Sequence, residues 1–172
     1  FVPIAYGGGI SSIEDAHKLY QIGFDKIIIG TALFEQPNLI KEIVGIYGSQ
    51  NLIGSIDFRK NHGNIMTTYY GSVKNVPNKN LEEVIDNLIN NEVGEIFLHD
   101  IERDGTYKGL NLDVIRHVSK LCSVPVIACG GAKSLDDMDA AIKAGASGIA
   151  AGSLFYFYGK HKAVLINYGG IC

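Results

Sequence analysis

Residues 2–34, "VPIAYGGGISSIEDAHKLYQIGFDKIIIGTALF", are written a second time at residues 124–156 as "VPVIACGGAKSLDDMDAAIKAGASGIAAGSLFY". The offset is 122 throughout and needs no gap; nine of the 33 positions are identical. Each copy reads as strand, glycine turn, amphipathic helix, strand and second glycine turn. Short, nearly continuous apolar runs bounded by glycine or charge suit a parallel sheet covered by helices. Strands are expected at Pro3–Tyr6, Lys26–Ile29, Leu52–Asp57, Glu95–Asp100, Pro125–Cys129 and Gly148–Ala151. Helices are expected at Ile13–Ile22, Asn38–Tyr47, Leu81–Asn91, Leu110–Leu121 and Leu135–Ala144. Ser11 with Glu14 reads as a capping box, and Gly23 and Gly145 follow helices where a left-handed cap is wanted.

Repeated βα units form either an open doubly wound sheet or a closed (β/α)8 barrel. A two-unit motif recurring at 122 residues favours the barrel, built from two half-barrel repeats. Asp57 then opens the second half, and a first half of equal length begins before Phe1. The expectation is an α/β fold, a TIM barrel of about 240–250 residues, of which this sequence lacks the first two βα units. Residues 1–172 would be a single domain holding the last six units. Residues 58–80 break the rhythm, and "NIMTTY" reads as an added hairpin strand.

Composition narrows the function. The chain of 172 residues is 47% hydrophobic, with a net charge of −3, which argues against a polyphosphate-binding face and so against nucleic acid. No apolar run is long enough to span a membrane. Three cysteines, Cys122, Cys129 and Cys172, have no regular spacing. They read as reduced thiols in a cytoplasmic setting. Five histidines show no metal-ligand spacing, so neither a metal nor another cofactor is expected.

The repeat itself suggests chemistry. Glycine lets backbone approach a ligand closely, and successive N–H groups beside a helix start and a hydroxyl converge on an anion. Gly9, Gly30 and Thr31 in one copy answer to Gly131, Gly152 and Ser153 in the other. Two such grips across one barrel mouth imply a ligand with a phosphate at each end; tight βα turns alone are the plainer alternative. Alternate strand residues face the barrel interior. That puts Asp57, His99 and Cys129 at the C-terminal mouth, where Asp57 can serve as a general acid or base. Asp104, in "ERDGTYKG", lies in the loop after the next strand, where Asp-Gly is also a turn signal. Lys26 and Glu95 face inward at the opposite end, as a floor salt bridge or a gate for a small molecule.

The segments "GGGISSIEDA", "YGSQNLIGSIDFRK", "GEIFLHDIERDGTYKG", "VPVIACGGAKS" and "AAGSLFYFY" together resemble the cyclase subunit of imidazole glycerol phosphate synthase. The likeness covers essentially the whole chain. A sister ketol isomerase shares the double phosphate pattern but usually carries Gly-Trp after the matching Asp strand, and this chain has no tryptophan. The resemblance implies a lyase that takes ammonia from a glutaminase partner docked as a heterodimer on the N-terminal face of the barrel. Its substrate is a bis-phosphate ribulosyl formimino carboxamide ribotide, and its products are imidazole glycerol phosphate and an aminoimidazole carboxamide ribotide. Asp57 matches one catalytic aspartate, and the other falls upstream. Asp104 matches a residue at the mouth. Gly9, Thr31, Gly105, Gly131, Gly152 and Ser153 match phosphate contacts, Lys26 and Glu95 half of a four-residue ammonia gate, and Asp25 a partner interface.

Four positions depart from that pattern, all but Asp100 expected at the pocket mouth. Gly30 stands for a usual Asn, His99-Asp100 for Thr or Asn followed by Ser, and Cys129 for Ser. Such exchanges in a pocket are able to change a substrate. The tail "FYFYGKHKAVLINY" resembles a cyclase-like paralogue group that relays ammonia for amidination of bacterial surface sugars. A non-catalytic docking or conduit barrel is the third possibility.

Overall fold

The computed structural model describes residues 2–61, 64–69, 74–75, 80–158 and 163–164. Its strands are β1 (Ala5–Gly7), β2 (Lys26–Ile29), β3 (Leu52–Asn61), β4 (Asn64–Tyr69), β5 (Lys74–Asn75), β6 (Glu95–Asp100), β7 (Val126–Cys129), β8 (Gly148–Ala150), β9 (Phe157–Tyr158) and β10 (Ala163–Val164). Its helices are α1 (Ile13–Ile22), α2 (Thr31–Glu35), α3 (Pro37–Tyr47), α4 (Leu81–Asn90), α5 (Leu112–Leu121), α6 (Leu135–Lys143) and α7 (Ser153–Tyr156). Six strands run parallel in the order β1-β2-β3-β6-β7-β8, forming the curled part of a (β/α)8 barrel. β4 pairs antiparallel with β3 from Asp57↔Thr68 to Asn61↔Asn64, the hairpin expected from "NIMTTY". This pairing carries β3 four residues past Asp57. The tail motif falls largely outside the described residues, as do His62, His161 and Cys172.

Burial separates the two faces of the sheet. Ile27, Ile29, Ile56, Phe58, Ile96, Leu98, Val126 and Ala128 are buried and join Ile40, Ile43, Ile85 and Val118 of the helices in one core. Their strand neighbours Lys26, Ile28, Ser55, Asp57, Glu95, Phe97, His99, Ile127 and Cys129 are only half-buried and line the concave face. This is the alternation predicted for a barrel interior. Ile53 belongs to the concave set but is only 2% exposed. It pairs in register with Ile28 and Glu95, beneath the ion pair that Lys26 and Glu95 make across β3.

The repeat is reproduced in backbone geometry. Ser12 and Ser134 cap α1 and α6 in extended conformation, and each hydroxyl accepts from the N–H three residues on, that of Asp15 or Asp137. The box therefore sits one residue later than Ser11 with Glu14. The Asp15 carboxylate accepts from Ser11 N–H, which fixes the register. Gly23 and Gly145 have φ of 105° and 116°, as the caps require. Two short helices, α2 and α7, were not legible as helices, because four or five residues show no apolar period.

Candidate active site

The two glycine turns open the C-terminal ends of β1 and β7. Gly8 and Gly9 have φ of 108° and 72°; Gly130 and Gly131 have 102° and 90°. These angles are open to glycine and strained for other residues. The second turns match as well, with Gly30 at φ −113°, ψ −81° and Gly152 at φ −101°, ψ −70°, leading into Thr31 and Ser153. A Cβ on Gly8, Gly9 or Gly152 would meet nothing within 4 Å, so these backbones border open space.

The second copy is covered by the loop after β6, whose counterpart at the 122-residue offset falls before Phe1. The first borders a cavity of about 710 Å³ lined by Gly8, Gly9, Gly30, Thr31, Ser55 and Phe97, among others. The second is a cleft of only about 10 Å³, reached by Asp104, Gly105, Cys129, Gly131, Gly152 and Ser153. The loop after β6 fills it. Asp100, 4% exposed, accepts from the N–H groups of Glu102 and Arg103 through Oδ1 and from Asn111 Nδ2 through Oδ2. Arg103 lies 3.5 Å from the same carboxylate and donates to the carbonyls of Gly109 and Leu110. Gly109 N–H in turn donates to Gly131 O, and the Tyr107 hydroxyl donates to Ser153 O at 2.7 Å. Tyr107 holds φ +57°, an unusual angle for a non-glycine residue.

Between the two glycine systems lies a charged cluster. Asp57, His99 and Cys129 are direct register partners at the ends of β3, β6 and β7. His99 Nδ1 is 3.0 Å from Asp57 Oδ1, and its Nε2 is 3.8 Å from Asp104 Oδ2. The hydrogen bond to Asp57 raises the His99 pKa above its ordinary value; burial opposes this, and the nearby charges of Asp57, Asp104 and Asp100 add to it. Burial, with Asp104 and Asp57 assisting against a bond from Gly130, pushes the Cys129 thiol up to about 11. At neutral pH the cluster thus holds a protonated thiol, beside a histidine whose charged form Asp57 stabilises.

The remaining sites are at the other end of the sheet. Lys26 and Glu95 form their ion pair with side chains 32% and 18% exposed. Asp25 accepts from Ile4 N–H at 2.8 Å while its own N–H donates to Ile4 O, tying the starts of β1 and β2. Among the described residues no group of three or more His, Cys, Asp and Glu is placed to hold a metal ion. No helix among them is long and apolar enough to cross a membrane.

A barrel segment with paired glycine turns around an Asp–His cluster is matched by one family, described as histidine biosynthesis protein, over residues 1–161. The chain belongs to this family. Within it, the chain is of the HisF kind. It is 41% identical over 169 residues to a Pseudomonas aeruginosa protein provisionally named imidazole glycerol phosphate synthase subunit hisF2. That match covers 98% of this chain and 67% of the relative. A Leptospira borgpetersenii protein, provisionally named subunit HisF, is 37% identical over 171 residues, 97% of this chain and 66% of its own length. Subunit HisF of Dictyoglomus thermophilum is 36% identical over 157 residues, 91% of this chain and 62% of its own. The chain therefore spans about two thirds of the length of these relatives.

Sequence reasoning placed Asp57, His99 and Cys129 at one mouth but did not foresee that His99 bridges toward both aspartates. The signal was available, since aligning the ends of neighbouring parallel strands puts Asp57 beside His99. Tyr107 was not singled out. Its link to Ser153 joins residues 46 apart and has no local signature.

Proposed function

We propose that the chain is the greater part of an ammonia-using cyclase, a lyase subunit of a glutamine amidotransferase in histidine biosynthesis. It would convert the bis-phosphate ribulosyl formimino carboxamide ribotide to imidazole glycerol phosphate and the aminoimidazole carboxamide ribotide. The observation that carries this reading is the pair of glycine turns, alike in backbone angles, on either side of Asp57 in the strand order. Gly9, Gly30 and Thr31 would grip one phosphate. Gly105, Gly131, Gly152 and Ser153 would grip the other, once the Tyr107–Ser153 bond opens. Asp57 and Asp104 are the acid–base candidates. Lys26 and Glu95 would admit ammonia from a glutaminase subunit held near Asp25 on the N-terminal face, in the cytoplasm. One test is binding: the bis-phosphate ligand should bind ~10²-fold or more tightly than either singly phosphorylated half. Equal affinities would sink the two-grip reading.

A second reading, a barrel relaying ammonia for amidination of surface sugars, is favoured by one observation. The mouth holds His99, tied to Asp57, and Cys129 where a cyclase usually has small hydroxyl or amide side chains. Neighbouring genes for sugar-nucleotide enzymes rather than histidine enzymes would support this reading.

A further inference from the structure

His99 has the geometry of a proton carrier rather than of a filler. Its ring is held from one side only: Nδ1 meets Asp57 at hydrogen-bond distance, whereas Nε2 stops 3.8 Å short of Asp104, beyond a hydrogen bond. The side chain is 25% exposed. Its position is between the two grips. Ser55 and Phe97, one layer deeper on the same strands, line the large cavity, and Asp104 and Cys129 border the cleft. A carboxylate that fixes one imidazole nitrogen while the other faces the reacting atoms is the arrangement that orients histidine for proton transfer.

We propose that His99 is a further proton-transfer residue of this site, beside Asp57 and Asp104: it acts through Nε2, and Asp57 also orients it through Nδ1. This rests on the reading that ammonia adds to a substrate carbonyl at this mouth. The nitrogen lone pair forms the new N–C bond while the carbonyl π pair moves onto oxygen. That oxygen takes the proton from Nε2. The neutral imidazole then accepts a proton from the newly bonded ammonium nitrogen, giving a carbinolamine and restoring the imidazolium. Asp57 from β3, Asp100 on the same strand and Asp104 from the following loop are the charged groups around the ring, and Cys129 from β7 is a neutral neighbour. Three nearby carboxylates stabilise the imidazolium against the opposing effect of burial.

The test uses the complete gene product, the bis-phosphate ribulosyl substrate and ammonium salt, with free ammonia held constant across pH. Turnover should fall as pH rises through the His99 pKa, read independently by NMR of labelled histidine with His99→Gln identifying the signal. H99Q should lose ~10²–10⁴-fold in kcat with KM little changed. Should H99Q fail to fold, the signal is assigned by replacing the other four histidines one at a time, and Asp57→Asn serves instead: its His99 signal should titrate at lower pH than in the wild type. A folded wild type with no turnover overturns the cyclase reading and this proposal with it. An active wild type with H99Q within a few-fold, a pH profile unrelated to the NMR titration, or an unmoved His99 signal in D57N overturns the proposal alone.

Discussion

Asp57 Oδ1 and His99 Nδ1 lie 3.0 Å apart on neighbouring parallel strands, in direct register. The contact makes stability depend on pH. The His99 pKa is raised in the folded state, chiefly by its bond to Asp57, so the folded protein binds the proton more tightly than the unfolded chain. The stabilisation is complete below the ordinary histidine value of about 6.5 and is lost as pH rises through the folded value. Urea melts of wild type and H99Q from pH 5.5 to 9 should therefore converge toward the alkaline end. A gap that widens with pH would contradict this.

Gly131 should tolerate a side chain poorly. Gly131→Ala meets left-handed backbone strain of about 1–2 kcal/mol and also sets a Cβ 2.7 Å from Arg103 Cβ and 2.8 Å from Gly109 O. The crowding should cost a further ~1–3 kcal/mol. Denaturant midpoints with unchanged slopes would give the sum. A loss no larger than the backbone strain would mean that the loop after β6 is not seated on this turn.

Tyr107→Phe removes the hydroxyl that holds the loop to Ser153 O. Stability should drop by about 1 kcal/mol. If that bond has to open for a phosphate to enter, Y107F should bind the bis-phosphate ligand more tightly, by up to ~5-fold. Calorimetry decides the sign, and weaker binding would make Tyr107 a ligand contact rather than a latch.

Lys26 and Glu95 are partly buried, so removing one partner strands the other. Lys26→Met or Glu95→Leu alone should cost ~1–2 kcal/mol, and the double variant less than the sum. In the complete gene product with a glutaminase partner, the gate reading expects glutamine-dependent turnover to suffer while turnover on added ammonium persists. Equal losses on both nitrogen sources would leave the pair a purely structural floor.

The Cys129 thiol, pushed up to about 11 by burial, should alkylate slowly at pH 8 and speed up only as pH nears that value. Cys122, also half-buried and pushed up to about 11, should follow the same course. Residue-resolved mass spectrometry after timed iodoacetamide treatment reads both. Fast labelling of Cys129 at pH 7 would mean a thiolate that the surrounding carboxylates do not allow.

Much of this was legible because it is local or periodic. The gapless repeat carried the parallel βα order, and glycines at matching positions carried the turns, since each side chain or its absence fixes its own backbone. Strand alternation put Lys26, Glu95, Asp57 and His99 on the concave face, as burial bears out. The capping box slipped by one because Ser11 and Ser12 both precede an acid by three, and only the Ser11 N–H bond to Asp15 chooses between them. What escaped was long-range. The latch of Tyr107 on Ser153 depends on how one loop packs, which Asp100 and Arg103 decide through contacts no spacing reveals.

The most direct test of the account is turnover by the complete gene product given the bis-phosphate ribulosyl substrate and ammonium salt, with no partner present. The account predicts imidazole glycerol phosphate at ordinary enzyme rates, on the order of 1 per second. Folded protein that binds the substrate yet forms no product would contradict it and transfer the assignment to the surface-sugar reading, with Gly30, His99 and Cys129 as the physical cause.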